Sequence, residues 1–222
     1  MKKLLSLLLV GVMLVSLCGC FSEPEDVRGD ITANTTTSAT TSTNEFSLGK
    51  TANNVYENKF LGLSCTLPSD WTFATDDEIL ELNSMVAGTI DEDIASRIKE
   101  ANIIYDMQAA NSTTGSSMNI NLEKLSLVQV ATLDIKQTLE AQISQIETAY
   151  ANMGYTNTVC TYKKVTVDGK SLDALEISAK IQGVDFYAVA FAFAKENYLA
   201  NVTVCSLVDN TIDTLLGYFD FA

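Results

Sequence analysis

The residue types that carry most enzymatic and metal chemistry are sparse in this chain. Its 222 residues include no histidine, which excludes Ser-His-Asp and Cys-His nucleophilic catalysis, histidine acid–base catalysis and histidine-ligated metal sites. Lysine and arginine number 14 against 28 aspartates and glutamates, a formal net charge of −14. That excess would repel nucleic acid, an anionic membrane surface or an anionic wall polymer, so none of these is expected as a partner.

Trp71 and Asp106 are the two residues whose chemistry could serve a binding site. Trp71 is the only tryptophan and follows a strand that ends in proline. Its ring could stack on a ligand at a sheet edge, although a buried aromatic anchor is the favoured interpretation. Asp106 interrupts an apolar strand segment, where a charge is costly unless it is paired and a functional carboxylate would have a shifted pKa. Strand alternation places it opposite Tyr105 and Met107, so we expect it to face solvent or to pair with a lysine.

Acidic runs and cysteines are the candidates for two further kinds of site, a metal site and a disulfide or redox site. The runs Asp76–Glu78 and Asp91–Asp93 lack the spacing and the turn glycine of an EF-hand, and helix N-termini explain them, so no metal site is expected. Cys65, Cys160 and Cys205 each fall inside a strand pattern. They form either one disulfide, in any of three pairings, with a leftover thiol, or three buried thiols. Without a Cys-x-x-Cys motif or a histidine, no redox, zinc or other cofactor site is expected.

The first 19 residues have the composition of a cleaved leader. Two lysines precede Leu4–Leu17, a 14-residue uncharged stretch that is short for a membrane-spanning helix and typical of a secretory signal. The stretch ends in Leu17-Cys18-Gly19-Cys20, which resembles the lipobox of bacterial lipoproteins. The resemblance implies that Cys20 is lipidated and becomes the N-terminus, which would anchor the protein to the outer, extracytoplasmic face of the cell membrane. Loss of the two lysines leaves 12 basic and 28 acidic residues, a net charge of −16.

Residues 20–54 form a segment of different composition, rich in threonine, serine and asparagine, with Thr35-Thr36-Thr37 as its densest run. Such a segment cannot bury enough apolar surface to offset the entropy of its chain. We therefore predict a flexible stalk with an r.m.s. reach of about 30 Å, which holds a folded domain at residues 55–222 off the membrane.

Strand and helix patterns alternate through this domain. Strands are predicted at 54–57, 61–67, 103–107, 117–122, 156–167, 172–181, 184–194 and 198–207, and helices from 76, at 91–99, at 133–153 and at 210–219. Gly154 is a predicted cap of the long helix. Asp168-Gly169 predicts a two-residue type I′ turn. Because Val184–Ala194 is apolar on both faces, it is expected inside the sheet.

These elements predict an α+β domain in which an antiparallel sheet, with a C-terminal meander, is packed by helices. The opening Tyr56-Glu-Asn-Lys-Phe-Leu-Gly-Leu-Ser-Cys-Thr-Leu-Pro68, followed by Trp71, resembles that of PsbP-like domains, including those of lipoproteins from Gram-positive bacteria. The Asp106-Met107 pair, the long amphipathic helix and the terminal meander resemble that fold as well. The resemblance implies a non-enzymatic accessory or binding module, and family members of this kind act in photosystem assembly or bind a small GTPase.

The sequence therefore predicts a membrane-anchored bacterial lipoprotein that acts as a non-enzymatic binding or accessory module, with an envelope protein as its partner. Two alternatives remain open. One is a small-solute-binding lipoprotein, and the other is an extracytoplasmic enzyme that uses carboxylates such as Asp106. An enclosed pocket with two converging carboxylates would favour the enzyme.

Overall fold

The structure is a computed structural model that describes residues 46–87 and 101–222. The leader with Cys20, most of the predicted stalk, the acidic run Asp91–Asp93 and the predicted helix at 91–99 lie outside these residues. The described strands are β1 (Lys50–Ala52), β2 (Val55–Asn58), β3 (Leu63–Thr66), β4 (Thr72–Phe73), β5 (Ile103–Asn111), β6 (Ser116–Lys124), β7 (Tyr155–Val167), β8 (Lys170–Ile181), β9 (Val184–Lys195), β10 (Tyr198–Leu207) and β11 (Phe219–Phe221). The described helices are α1 (Asp76–Ala87), α2 (Leu127–Ala131), α3 (Ile135–Glu140), α4 (Ile143–Asn152) and α5 (Ile212–Leu216).

The strands form a large sheet and a small one. The large sheet has the order β4-β5-β6-β10-β9-β8-β7, and the small sheet has the order β1-β2-β3-β11. Every strand pair in both sheets is antiparallel. The predicted α+β class with a C-terminal meander, β7 to β10, is thus confirmed.

Each face of the large sheet buries a separate hydrophobic cluster. The first face packs on the small sheet and α5, and includes Ile120, Val202 and Phe191 with Tyr56 and Phe219. The second face packs on α3 and α4, and its core includes Leu139, Ile146, Tyr150, Leu175, Ile177, Phe186, Ala188, Ala190, Ala192 and Leu199. Alternate residues of each strand supply the two faces, as the pleat of a β-strand requires.

The predicted turns and the interior strand of the meander are confirmed. Asp168 and Gly169 have φ angles of 45° and 72°, the left-handed values that a type I′ turn requires at both positions. Strand β9 lies between β10 and β8, which explains why both of its faces are apolar. Gly154, with φ of 88°, directly follows the C-cap residue Met153 of α4.

The predicted helix at 133–153 is two helices, α3 and α4, separated at Ala141-Gln142. Helix α3 packs on β8 and β7, whereas α4 packs along β7. A break between them lets the apolar stripe follow the twist of the sheet, so that Leu139 and Ile146 are both buried.

Both ends of the domain also differ from the sequence prediction. The stalk is predicted to extend to residue 54, but Lys50–Ala52 forms β1 in the small sheet, and Phe46 stacks on Tyr198 with ring centroids 4.6 Å apart. At the other end, the predicted helix at 210–219 is only the short α5, after which the chain turns back as β11 and pairs with β3. The buried Phe219 accounts for the return, because as a strand residue it fills the core between the sheets.

Candidate functional site

Asp106 occupies a β-bulge, and the prediction that it faces solvent or pairs with a lysine is wrong. The register of β5 against β6 shifts between Tyr105 and Met107, so Asp106 is the extra residue. Alternation fails at such a position, because a bulge redirects the side chain. The carboxylate is 5% exposed and points to the small sheet.

Three donors from the N-terminal segment converge on the Asp106 carboxylate. The backbone N–H of Gly49 donates to Oδ1 at 2.7 Å, Asn58 Nδ2 donates to Oδ2 at 2.6 Å, and the Tyr56 hydroxyl also donates to Oδ2. Burial raises the pKa of Asp106, while these hydrogen bonds act in the opposite direction. The arrangement fastens β1 and β2 to the large sheet and leaves Asp106 in a structural role.

Trp71 also lies in the core. Its side chain is 7% exposed and packs edge-on against Tyr218, with ring centroids 6.2 Å apart. This position fits the aromatic anchor favoured by the sequence rather than an exposed stacking platform.

The three cysteines of the domain are free and buried. Of the two arrangements left open by the sequence, the structure therefore has three buried thiols rather than one disulfide and a leftover thiol. Cys65 lies in the core between the sheets, and Cys160 and Cys205 lie in the cluster beneath α3 and α4. Burial raises the pKa of each thiol to about 12, so these groups are unreactive at neutral pH.

A group of polar side chains occupies the second face of the large sheet, beside the alanines of β9. Asn119 and Asn121 on β6 are in register with Thr203 and Asn201 on β10. All four are between 1% and 3% exposed. We call Asn119, Asn121, Asn201 and Thr203 the asparagine cluster.

The asparagine cluster contains amide atoms that lack a partner. Asn121 Nδ2 donates to Asn119 Oδ1 at 2.8 Å. Asn121 Oδ1 and both amide atoms of Asn201 are buried and have no hydrogen-bond partner among the described residues. Buried polar side-chain atoms usually find partners, because leaving one unpaired costs about 1–3 kcal/mol. The cluster therefore has unused capacity to donate and to accept.

Gln142 adds a second set of unused amide atoms. It lies at the break between α3 and α4, is fully buried, and neither of its amide atoms has a partner within the described part of the chain. Its neighbours Leu139 and Ile146 pack in the same hydrophobic cluster as Ala190 and Ala192, which border the asparagine cluster on β9.

Glu123 follows the cluster on the same face of β6 and is a buried acidic group of this region. It is 3% exposed, and burial raises its pKa to about 7. The immediate cross-strand neighbours of the asparagine cluster are uncharged, namely Tyr105, Gln108, Ala190 and Ala192.

Helix α1 fixes the edge of the sheet next to the cluster. Asn83 Nδ2 donates to the carbonyl oxygen of Tyr105 at 2.9 Å, and the N–H of Tyr105 donates to Asn83 Oδ1 at 2.7 Å. The Asn83 amide thus replaces a neighbouring strand at the point where β5 bulges. Tyr105 is directly opposite Asn121, so α1 holds this side of the cluster in place.

The chemistry of the cluster suits recognition of an uncharged polar group. Amides and a hydroxyl offer both donors and acceptors, which match hydroxyl or amide groups of a ligand. In the described ranges 46–87 and 101–222, no group of three or more acidic, cysteine or histidine side chains comes together.

Strand β6 contains a sequence signal for this cluster that none of the predictions above uses. Asn119-Ile-Asn-Leu-Glu123 alternates polar and apolar residues, which is the pattern of a strand with one solvated face. Only the packing of the second face shows that the polar side chains are buried.

Fold and site together define an antiparallel α+β domain with a buried amide cluster on one sheet face. No protein-family model matches the chain, and no curated protein matches it, so the resemblance to PsbP-like domains stays a prediction. Among solved structures, the chain is similar to LpqN, which is involved in cell envelope biogenesis of Mycobacterium tuberculosis. The two share 11% identity and a TM-score of 0.37 over 69% of this chain and 75% of that chain. In residues 46–87 and 101–222, no helix has the length and apolar character to cross a membrane.

Proposed function

We propose that this protein is a lipid-anchored, extracytoplasmic binding module that holds a small uncharged polar ligand against the asparagine cluster and catalyses no reaction. Lipidation at Cys20 would fix it to the outer face of the membrane, where it would act beside an envelope protein. The PsbP-like resemblance and the lipobox support the class of protein, and the buried amides support the ligand.

The unpartnered amide atoms of Asn121 and Asn201 carry the proposal. A core position in a sheet is normally apolar, and an aliphatic side chain there would avoid the cost of unmade hydrogen bonds. Polar residues that destabilise the free protein are expected where they bind a ligand.

Among the residues that the structure describes, the two buried carboxyl groups are those of Asp106 and Glu123, and their positions favour binding over catalysis. Asp106 is fully engaged by Gly49, Tyr56 and Asn58, so the carboxylate that the enzyme alternative invoked is committed to holding the fold. Glu123 lies on the other face of the sheet, so these two groups do not converge as a catalytic carboxylate pair requires.

Ligand binding is tested by thermal unfolding of the mature full-length protein with glucose, sorbitol and N-acetylglycinamide as neutral probes. At least one probe should raise the melting temperature, and Asn201→Leu should remove that response. Asn152→Leu changes an exposed asparagine at the end of α4 and should leave it intact. NMR of the recovered probe should show it chemically unchanged, and a turned-over probe would favour the enzyme.

Anchoring is tested separately by mass spectrometry of the N-terminal peptide, which should begin with acylated Cys20. Cys20→Ser should release the protein from the membrane fraction. Cross-linking in cells should join the wild-type protein, but not Cys20→Ser, to an envelope protein. The two tests are independent. If a probe raised the melting temperature of Asn201→Leu as much as that of the wild type, the ligand site would be overturned whether or not Cys20 is acylated.

A further inference from the structure

Helix α2 exposes apolar side chains that no residue in the described ranges 46–87 and 101–222 buries. Leu127 and Val128 are 86% and 68% exposed, Val130 is 39% exposed, and the helix buries none of its residues. Exposed apolar side chains that cluster in this way mark a contact surface.

The conformation of α2 is fixed locally rather than by packing. The Ser126 side chain accepts from the N–H of Gln129, and the Gln129 side chain accepts from the N–H of Ser126 at 2.8 Å. This capping box satisfies donors at the start of the helix. The apolar tip is therefore presented in a defined orientation.

The position of α2 at one end of the large sheet is set by its neighbours. The N–H of Leu125 donates to the carbonyl oxygen of Asn197 in the β9–β10 turn at 2.7 Å. Tyr198, the next residue, is in register with Lys124 on β6 and Lys195 on β9. The α2 tip and the β9–β10 turn thus lie at the same end, which we call the tether end.

The chain that leads to Cys20 enters the domain at this same end. Phe46 is the first described residue, and its ring stacks on Tyr198 at 4.6 Å and meets Phe60 edge-on at 5.5 Å. Phe46, with which the described N-terminal part of the chain begins, therefore lies at the tether end.

Charged side chains of both signs lie at each end of the sheet. Lys124, Lys170 and Lys195 lie at or beside strand ends of the tether end, together with Asp168 and Glu196. At the opposite end Asp185 and Asp209 flank the exposed Val184 and Val208, and Lys180 pairs with Asp185. Lysines beside apolar side chains suit a membrane interface, because their stems pack along the acyl boundary while the ammonium groups reach the headgroups.

We propose that the tether end faces the bilayer and that Leu127 and Val128 insert into its interface. The proposal rests on the lipid anchor at Cys20 inferred above. The contact is local and apolar, so it does not require the net charge of the protein to be attractive. Its consequence is a fixed orientation, in which the opposite end of the sheet points away from the membrane.

The experiment uses the mature, acylated full chain in phosphatidylcholine vesicles, with an environment-sensitive fluorophore on an introduced cysteine. Val128→Cys reports on the tip, and Val184→Cys is the matched control at the opposite end. The native thiols Cys65, Cys160 and Cys205 are buried, so the label attaches to the introduced residue. Brominated lipids, which quench by contact, should lower the emission at position 128 at least about twofold and leave position 184 unchanged.

Equal quenching at the two positions, or none at position 128, would overturn the proposal. Shielding of position 128 that requires an added envelope protein, and is absent in vesicles alone, would also overturn it in favour of a protein-docking surface. Mass spectrometry of the same sample separates the two proposals. A chain without acyl groups on Cys20 contradicts the anchor itself, whereas an acylated chain without quenching contradicts only the membrane-facing surface.

Discussion

Asn201 lies directly opposite Asn121 across the β6–β10 pair, and these two buried amides leave three atoms without a partner among the described residues. Two facing amides can in principle satisfy each other, so their failure to do so is informative. Asn121 instead donates along its own strand to Asn119. The pair therefore keeps two acceptors and one donor group unused, as the proposed ligand site requires.

The first prediction concerns the stability cost of this arrangement. Asn201→Leu should raise the free energy of unfolding of the unliganded protein by about 1 kcal/mol, because it removes two unpaired polar atoms from the core. Urea unfolding of both chains measures the change. The matched variant Asn83→Leu should lower stability by about 2 kcal/mol, since the Asn83 amide is paired with the backbone of Tyr105. A loss of stability in Asn201→Leu as large as that in Asn83→Leu would mean that Asn201 has partners in the free protein.

The second prediction concerns the attachment of the N-terminal strands. Asp106→Ala should lower the free energy of unfolding by about 2–4 kcal/mol, because the hydrogen-bond donors of Gly49, Tyr56 and Asn58 would lose their acceptor inside the protein. Hydrogen exchange should show the earliest loss of protection in residues 49–58.

Tyr56→Phe removes only one of the three donors to Asp106 and should cost about 1 kcal/mol. Asp220→Ala, at an exposed position of β11, is the matched control and should be nearly neutral. An Asp106→Ala variant as stable as this control would show that the bulge holds β1 and β2 without the carboxylate.

The third prediction concerns pH. Glu123 has an ordinary pKa of 4.5 and a pKa of about 7 in the folded protein. Between these values the folded state binds a proton that the unfolded state releases, so stability falls as the pH rises through this window. Glu123→Gln should remove up to about 3 kcal/mol of this loss between pH 4 and pH 8.

Unfolding curves of the wild type and Glu123→Gln at several pH values measure this difference. The raised pKa of Asp106 acts in the same direction but is present in both chains, so the difference isolates Glu123. Glu57→Gln, on an exposed position of β2, should reproduce the wild-type pH profile. If the stability of the wild type and of Glu123→Gln depended on pH in the same way, Glu123 would not have a raised pKa in the folded protein.

Local sequence patterns predicted the parts of the fold that depend on periodicity and turn chemistry. The Asp168-Gly169 turn, the alternation in β8 and the two-sided apolar strand β9 are examples, because each is determined by neighbours in the chain. The break at Ala141-Gln142 is different, since nothing in that dipeptide opposes a helix, and only the tertiary structure shows that the two helices pack on different parts of the sheet.

The candidate site likewise depends on tertiary contacts that local sequence patterns do not predict. Asp106 was singled out by its charge, but a one-residue bulge reversed its orientation, and a bulge is set by long-range pairing. The alternation of Asn119, Asn121 and Glu123 with apolar residues in β6 is the pattern of a solvated strand face. The burial of these side chains depends on which elements pack on the second face, and local sequence patterns do not predict that packing.

The last prediction concerns the three thiols of the domain. Their pKa values of about 12 leave almost no thiolate at pH 8, so Ellman's reagent should not modify the folded protein and should find all three thiols after unfolding. Val128→Cys, on the exposed α2 tip, should react at once with one equivalent in the folded state. Rapid modification of the native wild-type domain, or fewer than three thiols after unfolding without reductant, would show that one of the cysteines is exposed or paired in solution.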